Sequence, residues 1–249
     1  MREIKGVFFD LHGTLLLSPD LDAAWEDWLK AFYSCMVECG LSMSREEFAE
    51  EMEDLFDKPM PESSGTGLSV FERRVMDFCD RLGLVIDRDY LRWMVDHVIE
   101  VWHRDFYIDP DTYDVLEELS SRYKIALITN WDHAPKIRSL LHELDLDRYF
   151  KTVIISDEAD AAKPDSRIFH IALKKTGLKP SEVTYIGDAP EDVKGSLAAG
   201  IQPVLIRRGK PREEWSVKPD TKQASPHEGI VDYKDIPIIR SLKELLDLS

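Results

Sequence analysis

Residues 6–15 read GVFFDLHGTL, an apolar run that ends in an acid and leads into a glycine turn. An almost unbroken apolar run is typical of a parallel strand that is buried on both faces. Asp10 closes the run, and Gly13 suits a turn in which the backbone must come close to a ligand. Open α/β sheets bind their ligands beyond the carboxyl ends of the strands, so we predict a functional role for Asp10.

Four more apolar runs follow the same pattern further along the chain. They are KIALITN, ending at Thr129 and Asn130; TVIISDE, ending at residues 156–157; VTYIGD, ending at Asp188; and QPVLI at residues 202–206. Helical patterns lie between them, among them DTYDVLEELSSR, APKIRSLLHELDL and DSRIFHIALKKTG. Strands that alternate with helices predict an α/β fold built on a doubly wound parallel sheet, whose polar strand ends gather at one edge.

The stretch 17–103 is predicted to be helical throughout and to interrupt the α/β pattern. Ser18 followed by Pro19 indicates the start of a first helix, and Ser44 with Glu47 indicates a capping box for a second. LSVFERRVMDFCDRLG and RDYLRWMVDHVIEVWHRD supply two more helical patterns. We therefore predict an inserted α-helical domain at 17–103 and an α/β core domain formed by 1–16 and 104–249.

The tryptophans of this helical stretch permit two interpretations. They could form an aromatic wall for a sugar or a base, although their helical spacing is more typical of a hydrophobic core: Trp25, Trp28, Trp93 and Trp102. Outside the predicted helices, 58–67 and 207–229 are polar stretches predicted to be loops. IPIIRSLKELLDL is predicted to form a final strand and helix.

The composition excludes several classes of partner. Forty-eight acids against thirty-two bases give a net charge of −16, which repels nucleic acid and requires a local positive cluster, with a metal, for any anionic substrate. We find neither an apolar run of bilayer length nor a signal peptide, so we expect a soluble, cytoplasmic protein without a membrane partner. Three cysteines, Cys35, Cys39 and Cys79, are too few for a disulfide framework and are expected as small buried side chains.

Four motifs, taken in order, resemble those of the haloacid dehalogenase superfamily of hydrolases. They are FFDLHGTLL, LITNWD, DAAKPDSRIF and YIGDAPEDVKGSLAAG, and they extend over nearly all of the α/β part. The helical insertion stands where one large subclass of that superfamily carries its cap. The resemblance implies a Rossmann-like core, a cap that closes over the site, and hydrolysis of a small phosphorylated metabolite.

The resemblance also implies how the site works. Asp10 would be the nucleophile and would form a covalent aspartyl intermediate. Mg²⁺ would bring the two anions together, held by Asp10, Asp188 and the backbone carbonyl of His12. Asp192 would bind the metal through water or orient Lys163.

Phosphate binding is assigned by the same resemblance to the second and third motifs. Lys163 would neutralise Asp10 and the transferred group, and the Thr129 hydroxyl would bind a phosphate oxygen. The backbone N–H groups of Asn130 and of residues 12–13, including Gly13, would cradle the remaining oxygens. Asp132 and His133 follow the second motif, and the sequence assigns them no role in the chemistry.

His12 departs from the family pattern, because most phosphatases of the family carry a second aspartate at this position. That aspartate protonates the leaving alcohol and then activates water. Histidine is a competent acid and base near neutral pH. Asp10 and Asp188 would favour its protonated form, whereas a cation and Lys163 would disfavour it. A His12 side chain that points away from the substrate would instead leave a slow phosphatase.

The departure at His12 leaves other activities open. A metal-independent 2-haloacid dehalogenase needs no such acid, but relatives with that activity lack the Gly187-Asp188 pair and carry an arginine early in the cap, where this chain has only Lys30. Carbon–phosphorus cleavage uses a cap lysine, which leaves Lys30 as a candidate, although its place in WEDWLKAFY is typical of a helix surface. A weakly active protein that binds a partner through the insertion is a third alternative. The first hypothesis is a Mg²⁺-dependent phosphatase.

Overall fold

A computed structural model describes residues 3–53, 55–56, 58–61, 65, 67–208 and 235–247. The loop predicted at 58–67 lies only partly within these residues, and the one predicted at 207–229 lies almost wholly outside them. No helix of the described part is long and apolar enough to cross a membrane. The three cysteines are free thiols; Cys35 and Cys79 are buried as predicted, whereas Cys39 is only partly buried.

Six strands form the central sheet, and every neighbouring pair is parallel. They are β1 (Gly6–Phe9), β4 (Lys124–Thr129), β5 (Thr152–Ile155), β6 (Val183–Gly187), β7 (Gln202–Ile206) and β8 (Ile238–Ile239), in the order β5-β4-β1-β6-β7-β8. Two short strands, β2 (Leu16–Leu17) and β3 (Tyr107–Ile108), pair antiparallel in a separate sheet. The predicted doubly wound parallel sheet is confirmed.

β1 lies at the point where the strand order reverses. Its neighbours are β4 on one side and β6 on the other, so that Phe9 pairs in register with both Leu127 and Ile186. From β1 the chain builds outward first through β4 and β5, and then in the other direction through β6, β7 and β8. A crevice opens at such a switch point, beyond the carboxyl end of the strand, and Asp10 is the next residue.

The sheet is buried on both faces, because successive side chains of a strand point to opposite sides. Phe9 packs on one face in a cluster with α5 (Thr112–Ser120) and α6 (Ala134–Glu143). Phe8 packs on the other face in a cluster with α8 (Ser166–Thr176). Both phenylalanines are wholly buried, which contributes about 2–3 kcal/mol each. The remaining helices outside the insertion are α7 (Ser156–Ala159), α9 (Pro190–Ala198) and α10 (Glu244–Asp247).

Among the residues that the structure describes, four helices lie between β2 and β3: α1 (Leu21–Glu38), α2 (Arg45–Glu53), α3 (Val70–Leu82) and α4 (Arg88–His103). They share a hydrophobic cluster of their own, with Phe32 and Phe48 among its fully buried members. The proposed division into domains at 1–16 and 104–249 and at 17–103 stays a prediction.

The predicted start of the first helix is wrong by two residues, and the predicted cap of the second is right. Asp20 caps α1, because its carboxylate accepts the N–H of Ala23 at 3.0 Å, whereas the Ser18 hydroxyl accepts only the N–H of Asp20 itself. Asp20 is therefore the N-cap residue of α1, in place of the predicted Ser18 followed by Pro19. Ser44 and Glu47 form the reciprocal bonds of a capping box at 2.8 and 3.2 Å, as predicted.

Candidate functional site

Lys163 stands at the centre of the candidate site and joins two of the predicted acids. Its ammonium donates to Asp10 Oδ1 and to Asp192 Oδ1, both at 2.6 Å. All three side chains are buried. Asp10 follows β1 and is held there by its own N–H, which donates to the carbonyl of Ile186 in β6 at 2.9 Å. The sheet thus brings the first, third and fourth motifs together at one strand end.

Asp192 uses its two carboxylate oxygens for different tasks. Oδ2 accepts the backbone N–H groups of Asp188 and Ala189 at 3.1 and 3.0 Å, at the start of α9. Oδ1 accepts Lys163 and also faces the Tyr185 hydroxyl at 2.9 Å. Because both oxygens are engaged, Asp192 suits the orienting role that the sequence gave as one of two alternatives.

Tyr185 belongs to this network although sequence reasoning missed it. Its hydroxyl lies 3.2 Å from the Lys163 ammonium and 3.1 Å from the carbonyl of Ile128. The ring is completely buried within β6. In the sequence Tyr185 is one apolar residue of a buried strand, and nothing there signals that its hydroxyl reaches the site.

Burial and like charges shift the protonation of the acids. Burial raises the pKa of Asp10 to about 7, although Lys163 opposes the shift. Burial, with the nearby Asp192, raises the pKa of Asp188 to about 6. Burial alone would lower the pKa of Lys163, but Asp10 and Asp192 outweigh it and raise the pKa above its ordinary value. The lysine therefore stays charged, while the carboxylates have a strong affinity for protons or for another cation.

The carboxylates fit a hard divalent cation. Asp10, Asp188 and Asp192 each offer an oxygen, and these oxygens lie within 4.8 Å of one another. A Cβ added at Gly13 would lie 2.2 Å from Asp188 Oδ2, and Gly13 has a φ of +80°, so only glycine lets the loop pass so close to the carboxylate. Oxygen donors of this kind are the ligands that Mg²⁺ takes. With Asp192 engaged elsewhere, Asp10 and Asp188 are the available direct ligands.

Asn130 holds the backbone of Lys163 from both sides. Its side-chain amide donates to the Lys163 carbonyl at 2.9 Å, and its oxygen accepts the Lys163 N–H at 2.7 Å. Its predicted backbone contact with phosphate stays a prediction. Thr129, the preceding residue, has a buried hydroxyl without a hydrogen-bond partner among the described residues. A buried hydroxyl of this kind is expected to find a partner, which here would be a ligand oxygen.

His12 is held on the side of the site nearest to the insertion. Its ring stacks on Trp131 with centroids 4.6 Å apart, and its Nε2 lies 3.0 Å from Nε2 of His103, the last residue of α4. Burial, followed by the charges of His103 and Lys163, lowers the pKa of His12 well below its ordinary value. The lowered pKa favours the neutral form of His12.

The contact with His103 fixes which nitrogen of His12 carries the proton. His103 Nδ1 lies 2.9 Å from the carbonyl of Ile99, which can only accept, so Nδ1 carries the hydrogen. Burial lowers the pKa of His103 to about 4, so its ring is neutral and its Nε2 is an acceptor. His12 must then donate from its own Nε2. Its Nδ1 is left without a proton, as the position at which His12 could exchange one.

Asp132 and His133 connect the second motif to the insertion. Asp132 accepts Arg74 of α3 at 2.7 Å through its carboxylate, and its carbonyl accepts the N–H of Phe71 at 2.8 Å. His133 contacts the hydroxyl of Ser69, the N-cap of α3, at 2.8 Å. These contacts give both residues a structural role.

Asp157 adds a second connection to the same helix. One carboxylate oxygen accepts the N–H of Val70 at the start of α3 at 2.6 Å, and the other accepts the N–H of Ala134 at the start of α6 at 2.8 Å. One side chain therefore caps two helices, one from the insertion and one that packs on the sheet. We call these three residues, Asp132, His133 and Asp157, the α3 dock.

A cavity of about 480 Å³ adjoins the Lys163 end of the site. Asn130 and Lys163 are among its lining residues. Its walls are largely aromatic, and three of the four tryptophans considered above line it: Trp25, Trp28 and Trp102. Trp93 is not among the lining residues; it is 52% exposed and stacks on His97. Both interpretations apply to Trp28, which belongs to the buried cluster and also lines the cavity.

Arg208 is a further residue that the sequence did not reveal. Its guanidinium donates to the carbonyls of Gly13 and Thr14, both at 2.7 Å, and to Asp109 at 2.9 Å. These hydrogen bonds hold the turn after β1 in place. Within this turn Gly13 lies next to Asp188. Its position two residues after β7 carries no motif, so only the contacts identify it.

Comparisons with known proteins agree with this geometry. A family model described as haloacid dehalogenase-like hydrolase matches residues 4–200. The chain is 29% identical over 238 residues to a glyceraldehyde 3-phosphate phosphatase of Methanopyrus kandleri, a match that covers 90% of this chain and 95% of that one.

Two solved structures share the fold. A phosphatase of the same superfamily from Thermococcus onnurineus matches with a TM-score of 0.64 and 22% identity, over 98% of this chain and 97% of that one. A 2-haloacid dehalogenase from Pseudomonas syringae matches with a TM-score of 0.64 and 21% identity over the same shares. At 22% and 21% identity, these two matches show a shared fold, and they favour neither the phosphatase nor the dehalogenase activity.

Proposed function

Because this chain belongs to the haloacid dehalogenase-like hydrolase family, we propose that it is a Mg²⁺-dependent phosphatase of small phosphate monoesters. The chief support is the arrangement of Asp10, Lys163 and Asp188 at the end of β1, where a buried carboxylate lies beside a lysine and a second acid. A dehalogenase that works without metal has no use for the second acid. The phosphatase name of the Methanopyrus relative points the same way.

Asp10 is proposed to attack phosphorus. Lys163 holds Oδ1 at 2.6 Å, which leaves Oδ2 as the attacking oxygen. The new Oδ2–P bond forms as the bond between phosphorus and the leaving oxygen breaks, and the alcohol departs with that electron pair. Water then attacks phosphorus, the Oδ2–P bond breaks, and inorganic phosphate and the free carboxylate are produced.

Lys163 and Thr129 are proposed to hold the transferred group. The ammonium remains charged and faces the position of the reaction, and the buried Thr129 hydroxyl is available to donate to a phosphate oxygen. Asp10 and Asp188 would bind Mg²⁺ together with the carbonyl of His12. The metal would offset the repulsion between carboxylate and phosphate and polarise the phosphoryl oxygens. Asp192 keeps Lys163 in place.

His12 is proposed to move the protons. The departing alkoxide needs a proton, and the attacking water gives one up, and both transfers would take place at Nδ1. His103 fixes Nε2 as the other, permanently protonated nitrogen. Because the ring is neutral in the free protein, it is ready to accept a proton from water, and it must gain one before it can protonate an alkoxide.

The release of inorganic phosphate tests the proposal. The purified protein should release phosphate from a panel of monoesters with Mg²⁺, and EDTA should stop the reaction. Halide release from 2-chloropropionate that continues in EDTA would identify the dehalogenase alternative instead. The absence of both activities, together with a stable partner protein, would favour a binding protein. We expect no binding of nucleic acid, and a cytoplasmic location stays a prediction.

A further inference from the structure

The cavity beside Lys163 has a composition that points to a particular class of substrate, an inference that rests on the proposed phosphatase function. Its volume of about 480 Å³ falls within the range of about 300–1,000 Å³ that is usual for small-molecule sites. Since Lys163 lines this cavity and also contacts Asp10, a phosphate held at Asp10 would place the rest of the ester in the cavity.

One wall of the cavity is a continuous aromatic surface supplied by the insertion. Trp25 stacks on Trp28 with centroids 4.9 Å apart and the planes at 25°. Trp28 also contacts Phe56 and Phe71, at centroid distances of 5.6 and 6.3 Å. Trp25 is only partly buried and Phe56 is 43% exposed. Aromatic rings that stay open to solvent at a cavity wall offer flat surfaces on which another ring can stack.

The charges on the described lining do not provide for a second anionic group. Arg74 is buried, and its guanidinium already donates to Asp132 and to the carbonyls of Leu55, Pro59 and Lys58. Lys163 is held by Asp10 and Asp192. Lys58 is exposed, so water screens its charge. A carboxylate or a second phosphate on the substrate would therefore have to compete with Asp132 for the buried guanidinium of Arg74.

We propose that the substrate is a phosphate monoester whose alcohol carries an uncharged, planar aromatic ring. The ring lies in the cavity and stacks on the wall formed by Trp25, Trp28 and Phe71, while the phosphate reaches Asp10 and Lys163. Small carboxylated or aldehydic phosphate esters leave the aromatic wall uncovered and are poor substrates.

A pair of esters with equally poor leaving groups tests this proposal. 2-Phenylethyl phosphate and ethyl phosphate release alcohols of similar acidity, so a difference in kcat/KM reports the contact of the ring rather than the chemistry. With Mg²⁺ present we expect a preference of about tenfold or more for the phenylethyl ester. Glyceraldehyde 3-phosphate should also be the poorer substrate. Equal values for the two esters, or a preference for glyceraldehyde 3-phosphate, would overturn the proposal.

Variants of the wall link the preference to the cavity. Trp25→Ala should lower the phenylethyl-to-ethyl ratio of kcat/KM by about tenfold. Phe56→Ala is a second, more exposed position at which the same direction is expected. Trp93→Ala is the matched control, because Trp93 is a half-exposed tryptophan of the same insertion outside the cavity. A loss in the control as large as in Trp25→Ala would contradict the proposal.

A binding measurement separates this proposal from the proposed function. 2-Phenylethylphosphonate cannot be hydrolysed, and titration calorimetry in the presence of Mg²⁺ reports its affinity without turnover. We expect it to bind at least about tenfold more tightly than ethylphosphonate, and Trp25→Ala should remove the difference. If the protein binds 2-phenylethylphosphonate selectively but releases phosphate from no ester, the proposed phosphatase function is rejected and the proposed aromatic site is retained. Equal binding of the two phosphonates would reject the aromatic site.

Discussion

Asp10 has neighbours that shift its proton equilibrium in opposite directions. Burial and the acids Asp192 and Asp188 favour the protonated carboxyl, while Lys163 at 2.6 Å favours the carboxylate. The result is a pKa of about 7, at which a nucleophile would be only partly ionised at neutral pH. A bound cation would add to the effect of Lys163 and favour the ionised, reactive form.

Asp10→Asn should abolish turnover, because an amide is a poor nucleophile and a poorer ligand for Mg²⁺. The fold should survive, since asparagine has the same shape and Lys163 keeps Asp192 as its partner. Phosphate release and circular dichroism together check both statements. Retention of more than a few per cent of the wild-type rate would contradict covalent catalysis by Asp10.

His12→Ala should slow the hydrolysis of different esters to different extents, depending on the leaving group. The rate on alkyl esters should fall by about 10²–10⁴-fold, the range expected for general acid–base catalysis, and the rate on aryl esters should fall much less. Because the pKa of His12 lies well below its ordinary value, the alkyl-to-aryl ratio of the wild type should rise as the pH falls, whereas protonation of Asp10 slows both kinds of ester. The ratio of alkyl to aryl kcat, measured between pH 5 and 8, checks both effects.

Two controls accompany the His12 prediction. The Mg²⁺ dependence of His12→Ala should match that of the wild type, because the ligand proposed from residue 12 is its backbone carbonyl. His12→Asp should retain activity, because a carboxylate at this position can also give and take a proton. An unchanged alkyl-to-aryl ratio in His12→Ala would assign the proton transfer to another group or to water.

At the scale of elements, α3 depends on the α3 dock for its position. Its N-cap and its first two residues all bond to the dock: Ser69 to His133, Val70 to Asp157, and Phe71 to Asp132. Arg74, one turn further on, bonds to Asp132 as well. The N-terminal N–H groups of a helix lack acceptors within the helix. The dock supplies hydrogen-bond acceptors for the N–H groups of Val70 and Phe71.

Asp157→Ala should destabilise the protein by about 1–3 kcal/mol, because it removes the carboxylate partner of two helix N-termini at once. At about 2–4 °C per kcal/mol, thermal denaturation should show the loss clearly. Asp165→Ala is the matched control, since Asp165 caps the single helix α8 through the N–H of Arg167 at 2.8 Å. An equal loss in the two variants would mean that Asp157 contributes no more than one ordinary cap.

At the scale of the whole molecule, the raised pKa values make stability depend on pH in an unusual direction. Asp10 and Asp188 have folded-state pKa values of about 7 and about 6, above the ordinary value of 3.8. The folded protein therefore binds more protons than the unfolded chain between about pH 4 and pH 7, and stability falls as the pH rises through this window. Mg²⁺ replaces the protons and should remove much of the fall.

The test is thermal denaturation in EDTA and in Mg²⁺. Between pH 5.5 and pH 8 the protein in EDTA should lose about 1–3 kcal/mol of stability, and the protection by Mg²⁺ should be larger at pH 8. Asp188→Asn should flatten the dependence in EDTA and weaken the protection, while the general effect of the net charge stays the same. A stability in EDTA that rises with pH over this range would contradict the raised pKa values.

The parts of the molecule that the sequence predicted are those that depend on local pattern. The five runs beginning with GVFFD formed strands because they are apolar on both faces, and the motif order placed Asp10, Lys163 and Asp188 at one edge. Tyr185 and His103 were not predicted, since each enters the site through a contact with a residue far away in the chain. The sequence pattern also predicted the wrong start for α1, because Asp20 and not Ser18 is its N-cap residue.

Lys163 is held at both of its ends, by Asn130 at its backbone and by Asp10 and Asp192 at its ammonium. A lysine that is free in solvent loses about 1.5–2 kcal/mol of side-chain conformational entropy when it is fixed in one rotamer. Lys163 has lost that freedom during folding, so an arriving anion does not have to order it. The binding of phosphate should therefore show a smaller unfavourable entropy than the recruitment of a mobile surface lysine would.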